Sequence, residues 1–163
     1  YRHVKINNIP QEHADLYHET LMALFQFMIG NTDWSVPGRH NIKLLFEKPD
    51  DNPIPVPYDF DWTGFVHPPY AKPSEKLNIS SVKERLYRGY ERPEGYFMEI
   101  GALFLEKRDS MITLIEESPL NERDKRKSIE YLSLFFDGLT DPDYVKREIV
   151  MQSRRSEGAY FGK

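Results

Sequence analysis

Residues 30–61, GNTDWSVPGRHNIKLLFEKPDDNPIPVPYDFD, decide the fold. They read as a helix end, an irregular loop, a strand over 41–48, a turn at Asp50, Asp51, Asn52 and Pro53, and a returning strand over 54–60. Ile42, Leu44 and Phe46 alternate with Lys43 and Glu47, so the first strand has one apolar face. Pro53, Pro55 and Pro57 remove alternate backbone donors from the second, which makes it an edge and the whole a short two-stranded ribbon. On an extended strand Asp59 and Asp61 share one face. The loop adds Asn31, Asp33, His40 and Asn41, so acceptor groups from both segments are expected to converge on one cation or one proton. Structural readings stand beside these. Gly30-Asn31 is a helix C-cap signal, His40 is a polar loop residue, and one of the two aspartates caps the following turn.

Upstream, Pro10 suits a first helical turn, and Tyr17, Leu21, Leu24, Phe25 and Met28 recur at helical spacing, predicting a helix over 11–29 with Gln11, Glu12 and Asp15 at its positive end. Residues 1–9 alternate weakly at Val4 and Ile6 and read as an extended lead-in. Downstream, residues 62–76 are rich in Pro, Gly and aromatics and predict an ordered loop in which His67 and Tyr70 pack or line an entrance. Ser81-x-x-Glu84 predicts a capping box, opening a short helix that Gly89 closes and that presents Arg85 and Arg88 as a basic edge. A helix follows over 93–117, with Ile100, Phe104, Met111, Leu114 and Ile115 inward. Asn121 caps another, with Ile129, Leu132, Phe135 and Phe136 inward and Gly138 at its end. Asp141-Pro142 starts a last helix to about residue 154, and 155–163 should fray. The fold class is mainly α (α+β): a helical bundle around a small two-stranded β-ribbon that carries the site, in one domain over 1–163.

Composition narrows the function. A charge of −4 over 22 basic and 26 acidic residues, without long one-sign blocks, argues against a nucleic-acid surface. The absence of cysteine excludes disulfides, thiolate metal sites and cysteine nucleophiles. No apolar run approaches the roughly 20 residues that cross a bilayer. No phosphate-cradling Gly-rich loop and no Gly-x-Ser-x-Gly elbow is present.

Over residues 12–66 the motif order resembles the catalytic core of atypical protein-kinase-like enzymes, the spore-coat CotH kinases and, more distantly, the HipA toxin kinases. The resemblance rests on an apolar helix running into Gly30-Asn31-Thr32-Asp33, then Asn41, a strand pair, and Pro57-Tyr58-Asp59-Phe60-Asp61-Trp62. It implies a kinase C-lobe-like bundle and ATP- and Mg²⁺-dependent phosphotransfer to an unknown phosphoacceptor. Asp33 is then catalytic, Asn31 and His40 sit at the cofactor, and Asn41, Asp59 and Asp61 serve the metal. Asn41 follows Asp33 by eight positions rather than the five of ordinary kinases, with an excursion through Val36-Pro37-Gly38 between them. A chain that opens at Tyr1 is expected to be the C-terminal lobe of a longer protein, whose N-terminal lobe supplies the nucleotide-clamping lysine and leaves this fragment inactive alone. The wider run through SVKERLYRGY, residues 81–90, is similar to a group of uncharacterised, mostly exported bacterial proteins, which implies an exported or periplasmic site. Two alternatives stay open: a pseudokinase-like binding module, and a metal-dependent hydrolase built on Asp33, Asp59 and Asp61.

Overall fold

The computed structural model describes residues 2–3 and 9–153. It is a mixed, mainly helical α+β fold. The strands are β1 (Arg2–His3), β2 (Ile42–Phe46) and β3 (Ile54–Pro57); the helices are α1 (Leu16–Met28), α2 (Glu94–Glu116), α3 (Glu122–Leu139) and α4 (Pro142–Tyr144), the last running on through a π-helical stretch, Val145–Val150. The frayed tail expected over 155–163 lies outside the described residues, as do Val4 and Ile6 of the lead-in.

The small ribbon of β2 and β3 forms as the sequence predicts, and the two-residue β1 extends it. The order is β1-β2-β3, with β1 antiparallel to β2 through Arg2 opposite Phe46 and His3 opposite Leu45. The lead-in that alternates only weakly can join the sheet because β2 has two edges and the Pro-rich β3 takes only one. β3 pairs with β2 from Ile42 opposite Pro57 to Leu45 opposite Ile54, and it is the edge that its prolines require. Ile42, Leu44 and Phe46 are all buried in the core, as their alternation predicts.

The first helix begins later than its sequence pattern suggests. Gln11–His13 form a single 3₁₀ turn, and α1 starts after Asp15, whose carboxylate accepts from the His18 N–H at 3.0 Å. The inward face of α1 is also wider than one stripe: Glu19, Thr20, Met22, Ala23, Leu24, Gln26, Phe27 and Met28 are buried, whereas Tyr17 is exposed. Phe27 meets Tyr87 and Phe135 edge-to-face at 6.1 and 6.2 Å; Tyr87 continues to Phe97 at 5.4 Å and Phe135 to Phe104 at 5.7 Å. This aromatic chain ties α1 to the α2–α3 hairpin. Asn121 caps α3 through the Asp124 N–H at 3.0 Å, and Asp141 caps α4 through the Asp143 N–H at 3.0 Å, both as expected. Leu114, expected inward, is 72% exposed; Ile100, Phe104 and Ile115 carry that face.

No helix forms over residues 81–89. Glu84 does reach back, but to the N–H and hydroxyl of Ser80, and the local bonds close one turn only. Beyond it Tyr87 is pulled fully into the core and Arg85 and Arg88 turn inward, so tertiary contacts override the helix signal. Arg92 pairs with the wholly buried Glu19 at 3.4 Å, and Glu19 also accepts from Gln11 Nε2 at 2.7 Å and from the Tyr90 N–H at 3.1 Å.

Candidate functional site

The site begins where α1 ends. Gly30 takes φ +64°, its N–H bonds the Phe27 carbonyl at 3.1 Å, and the Asn31 N–H reaches back to Gln26 O at 2.8 Å; the left-handed residue closes the helix and aims the chain into the loop. A helix end leaves carbonyls without partners. Here each is met in turn. Met28 O accepts from Arg85 Nε at 3.2 Å, Ile29 O from the Phe65 N–H at 3.1 Å, Gly30 O from the Gly64 N–H at 3.1 Å, Asn31 O from Trp34 Nε1 at 3.1 Å, and Thr32 O from Arg88 Nη1. The loop over 62–76 therefore braces the helix terminus at its start, by pairing with these carbonyls.

The resemblance places Asn31 beside a cofactor. It is 1% exposed, donating through Nδ2 to Gln26 Oε1 at 3.0 Å and accepting the Asp33 N–H on Oδ1 at 2.8 Å. That turn fixes the backbone at Asp33, whose side chain is 41% exposed. Asp33 is then engaged on both carboxylate oxygens: Oδ1 lies 2.8 Å from His40 Nε2, and Oδ2 accepts from Asn41 Nδ2 at 3.0 Å. Asn41 Nδ2 also donates to Asp33 O at 2.8 Å. The eight-residue spacing is thus absorbed by the excursion between them, which the backbone pairing of Ser35 with His40 closes.

Asp59 and Asp61 do not lie on a strand. β3 ends at Pro57, the Tyr58 N–H bonds Asn41 O at 3.0 Å, and Asp59 turns into the left-handed region at φ +64°. The expected two-residue alternation fails there, yet the two carboxylates still meet. Asp59 has its pKa raised, first by a hydrogen bond to Asp61, then by the Asp61 charge, with burial and the Asp33 charge adding and His40 opposing. Two carboxylates that share one proton behave in this way, and a cation placed between them would reverse the shift. Asp61 Oδ2 also accepts from the Tyr70 hydroxyl at 3.4 Å, and Trp62 lies 6.5 Å from the Tyr70 ring.

Asn41, at φ +54°, and Asp59 both hold left-handed backbones, as Arg39 and His67 do elsewhere among the described residues. Such conformations cost of order 1–3 kcal/mol for a residue other than glycine, and they concentrate at functional sites. Among the described residues no three His, Asp or Glu side chains gather tightly enough to hold a metal unaided. The donors on hand, two carboxylates and an Asn41 amide whose Oδ1 is the remaining acceptor, are hard oxygen ligands of the type that Mg²⁺ takes alongside water and phosphate. Arg88, expected on the basic edge of a helix, turns inward instead, and its largely buried guanidinium lies 5.7 Å over the ring of Trp34, a residue the sequence reading does not single out.

No family model, curated protein or solved structure significantly matches this chain. No helix among the described residues is long and apolar enough to cross a membrane.

Proposed function

We propose that this chain is the C-lobe-like half of an atypical kinase, and that it transfers the γ-phosphoryl group of ATP to a hydroxyl acceptor with Mg²⁺. The reading rests on one observation above the others: Asp33 and Asn41, eight residues apart, are in direct hydrogen-bond contact beside the Asp59–Asp61 pair. In this mechanism Asp33 orients the acceptor hydroxyl and takes its proton as the acceptor oxygen bonds the γ-phosphorus and the bond to the bridging oxygen of ADP breaks. Asn41 Oδ1 and Asp59 would hold Mg²⁺, with Asp61 hydrogen-bonded to Asp59; the ion would supply charge neutralisation at the phosphates. His40 steadies the Asp33 carboxylate at 2.8 Å. An upstream lobe would clamp the nucleotide.

A pseudokinase-like module is the second reading, favoured by the engagement of both Asp33 oxygens within the protein. Calorimetric titration of MgATP separates the two. The chain alone should bind on the order of millimolar, and a version extended at its N-terminus far more tightly. Asp59→Asn in the longer version should abolish that gain. Equal binding with and without Asp59 supports the module, and micromolar binding by the short chain would overturn the placement of the nucleotide site.

A further inference from the structure

We propose that Arg88 is the positioning residue of this site, fixing the peptide before Asp33 and so setting where the Asp33 carboxylate meets His40 and Asn41. The inference rests on the reading of Asp33 as the catalytic carboxylate. Of the donors that satisfy the carbonyls from Met28 to Thr32, those at Gly30 and Ile29 are backbone groups, the one at Asn31 comes from the loop itself, and Arg85, the other distant side chain, reaches only Met28 inside the helix end. Arg88 is different. It comes from 56 residues away in sequence and bonds the Thr32 carbonyl, the last before Asp33. Its guanidinium also lies 5.7 Å over the Trp34 ring, so it grips the residues on both sides of Asp33.

The grip is held from behind. Gln11 Nε2 donates to the Arg88 carbonyl at 3.1 Å and, through Glu19, shares a network with Tyr90 and Arg92. The guanidinium is a charge in a largely buried place: burial lowers its pKa to about 10, and the Asp33 carboxylate opposes that fall. A cation kept in such a place is compensated by what it holds, here a carbonyl dipole, an indole face and a nearby carboxylate. A lysine would keep the charge and one donor, while a methionine keeps only the alkyl volume.

The test reads the Asn41 side-chain amide by NMR in wild type, Arg88→Met, Arg88→Lys and, as control, Arg85→Met, with thermal unfolding of each. In Arg88→Met the Asn41 Nδ2 protons should exchange about tenfold faster and shift, as the bond to Asp33 loosens, since one net hydrogen bond is worth roughly that factor. Arg88→Lys should restore most of the protection. Arg85→Met, which loses only the bonds to the Met28 and Tyr131 carbonyls and the contact with the Tyr131 ring, should lower stability and leave the Asn41 signal in place. A folded Arg88→Met with a wild-type Asn41 amide, or an equal change in Arg85→Met, overturns the proposal. Should Arg88→Met not fold, Arg88→Gln is read by the same criterion. Neither ATP nor Mg²⁺ enters this test, so a chain that shows the amide response but never binds MgATP loses the phosphotransfer reading and keeps Arg88 as the clamp.

Discussion

Asn41 reaches back across eight residues to hold Asp33 twice, through its carboxylate at 3.0 Å and its carbonyl at 2.8 Å, and does so from a left-handed backbone at φ +54°. Asparagine tolerates that conformation better than most residues, and glycine better still. The two roles can be separated. Asn41→Gly keeps the backbone and loses the bonds, at a cost of about 1 kcal/mol, while Asn41→Ala loses both and should cost about 2 kcal/mol. Denaturant unfolding of the pair measures the difference. An alanine variant as stable as the glycine variant would show that the backbone there is unstrained.

Gly30 supports the same loop from the helix side. A Cβ at this position would meet the Tyr131 hydroxyl and approach the Gly64 N at 3.3 Å, and φ is +64°. Gly30→Ala should therefore destabilise by about 3 kcal/mol, of which about 1 kcal/mol is backbone strain and the rest collision. Tyr131→Phe removes the colliding oxygen, at the loss of its 3.2 Å bond to Lys83 O. In the Tyr131→Phe background the Gly30→Ala penalty should shrink toward the strain alone, as a double-mutant cycle would show. A penalty unchanged by Tyr131→Phe would place the collision elsewhere.

The range of the forces involved decides which elements the sequence discloses. Asn121 and Asp141 announce their helices because a cap is satisfied within three residues, and Ile42, Leu44 and Phe46 announce a strand because alternation is local. Gly30-Asn31 announces the end of α1 for the same reason. By contrast, Ser81-x-x-Glu84 has the letters of a capping box, but the path of the chain after it is decided by Met28 O and Thr32 O, 57 and 56 residues from the arginines that bond them. The inward turn of Arg85, Arg88 and Arg92 has no periodic signature. At the site, the proximity of Asp59 and Asp61 is legible in the sequence and its reason is not: an extended strand would align them, whereas the chain brings them together through a left-handed turn after Pro57.

Glu19 offers a test by pH. It is wholly buried, and burial raises its pKa despite hydrogen bonds from Gln11 and Tyr90 and the Arg92 guanidinium at 3.4 Å. A folded carboxyl that keeps its proton above the ordinary value of 4.5 binds more protons than the unfolded chain does. Its contribution is then fully present below that value and is lost as pH rises toward the raised folded pKa. Glu19→Gln cannot titrate. The stability of wild type relative to Glu19→Gln should fall as pH climbs from about 4.5, measured by urea unfolding at stepped pH. A relative stability that rises over this window would mean that the Arg92 pairing outweighs burial.

The Asp59–Asp61 pair gives the sharpest reading of whether the loop and the ribbon converge. The influences on Asp59 have an order: Asp61 raises its pKa through a hydrogen bond and through charge, Asp33 raises it less, and His40 lowers it. Substitution should reproduce that order with its signs. Asp61→Asn removes the nearest negative charge and should lower the Asp59 titration midpoint the most. Asp33→Asn should lower it by a smaller amount, and His40→Ala should raise it wherever the imidazole is charged. Carboxyl ¹³C shifts followed through a pH titration report each directly, and adding MgCl₂ should lower the wild-type midpoint further if the pair receives a cation. An Asp59 midpoint that answers to Asp61 but not to Asp33 or His40 would leave a carboxylate pair on a turn, detached from the loop, and the phosphotransfer reading would lose the convergence on which it stands.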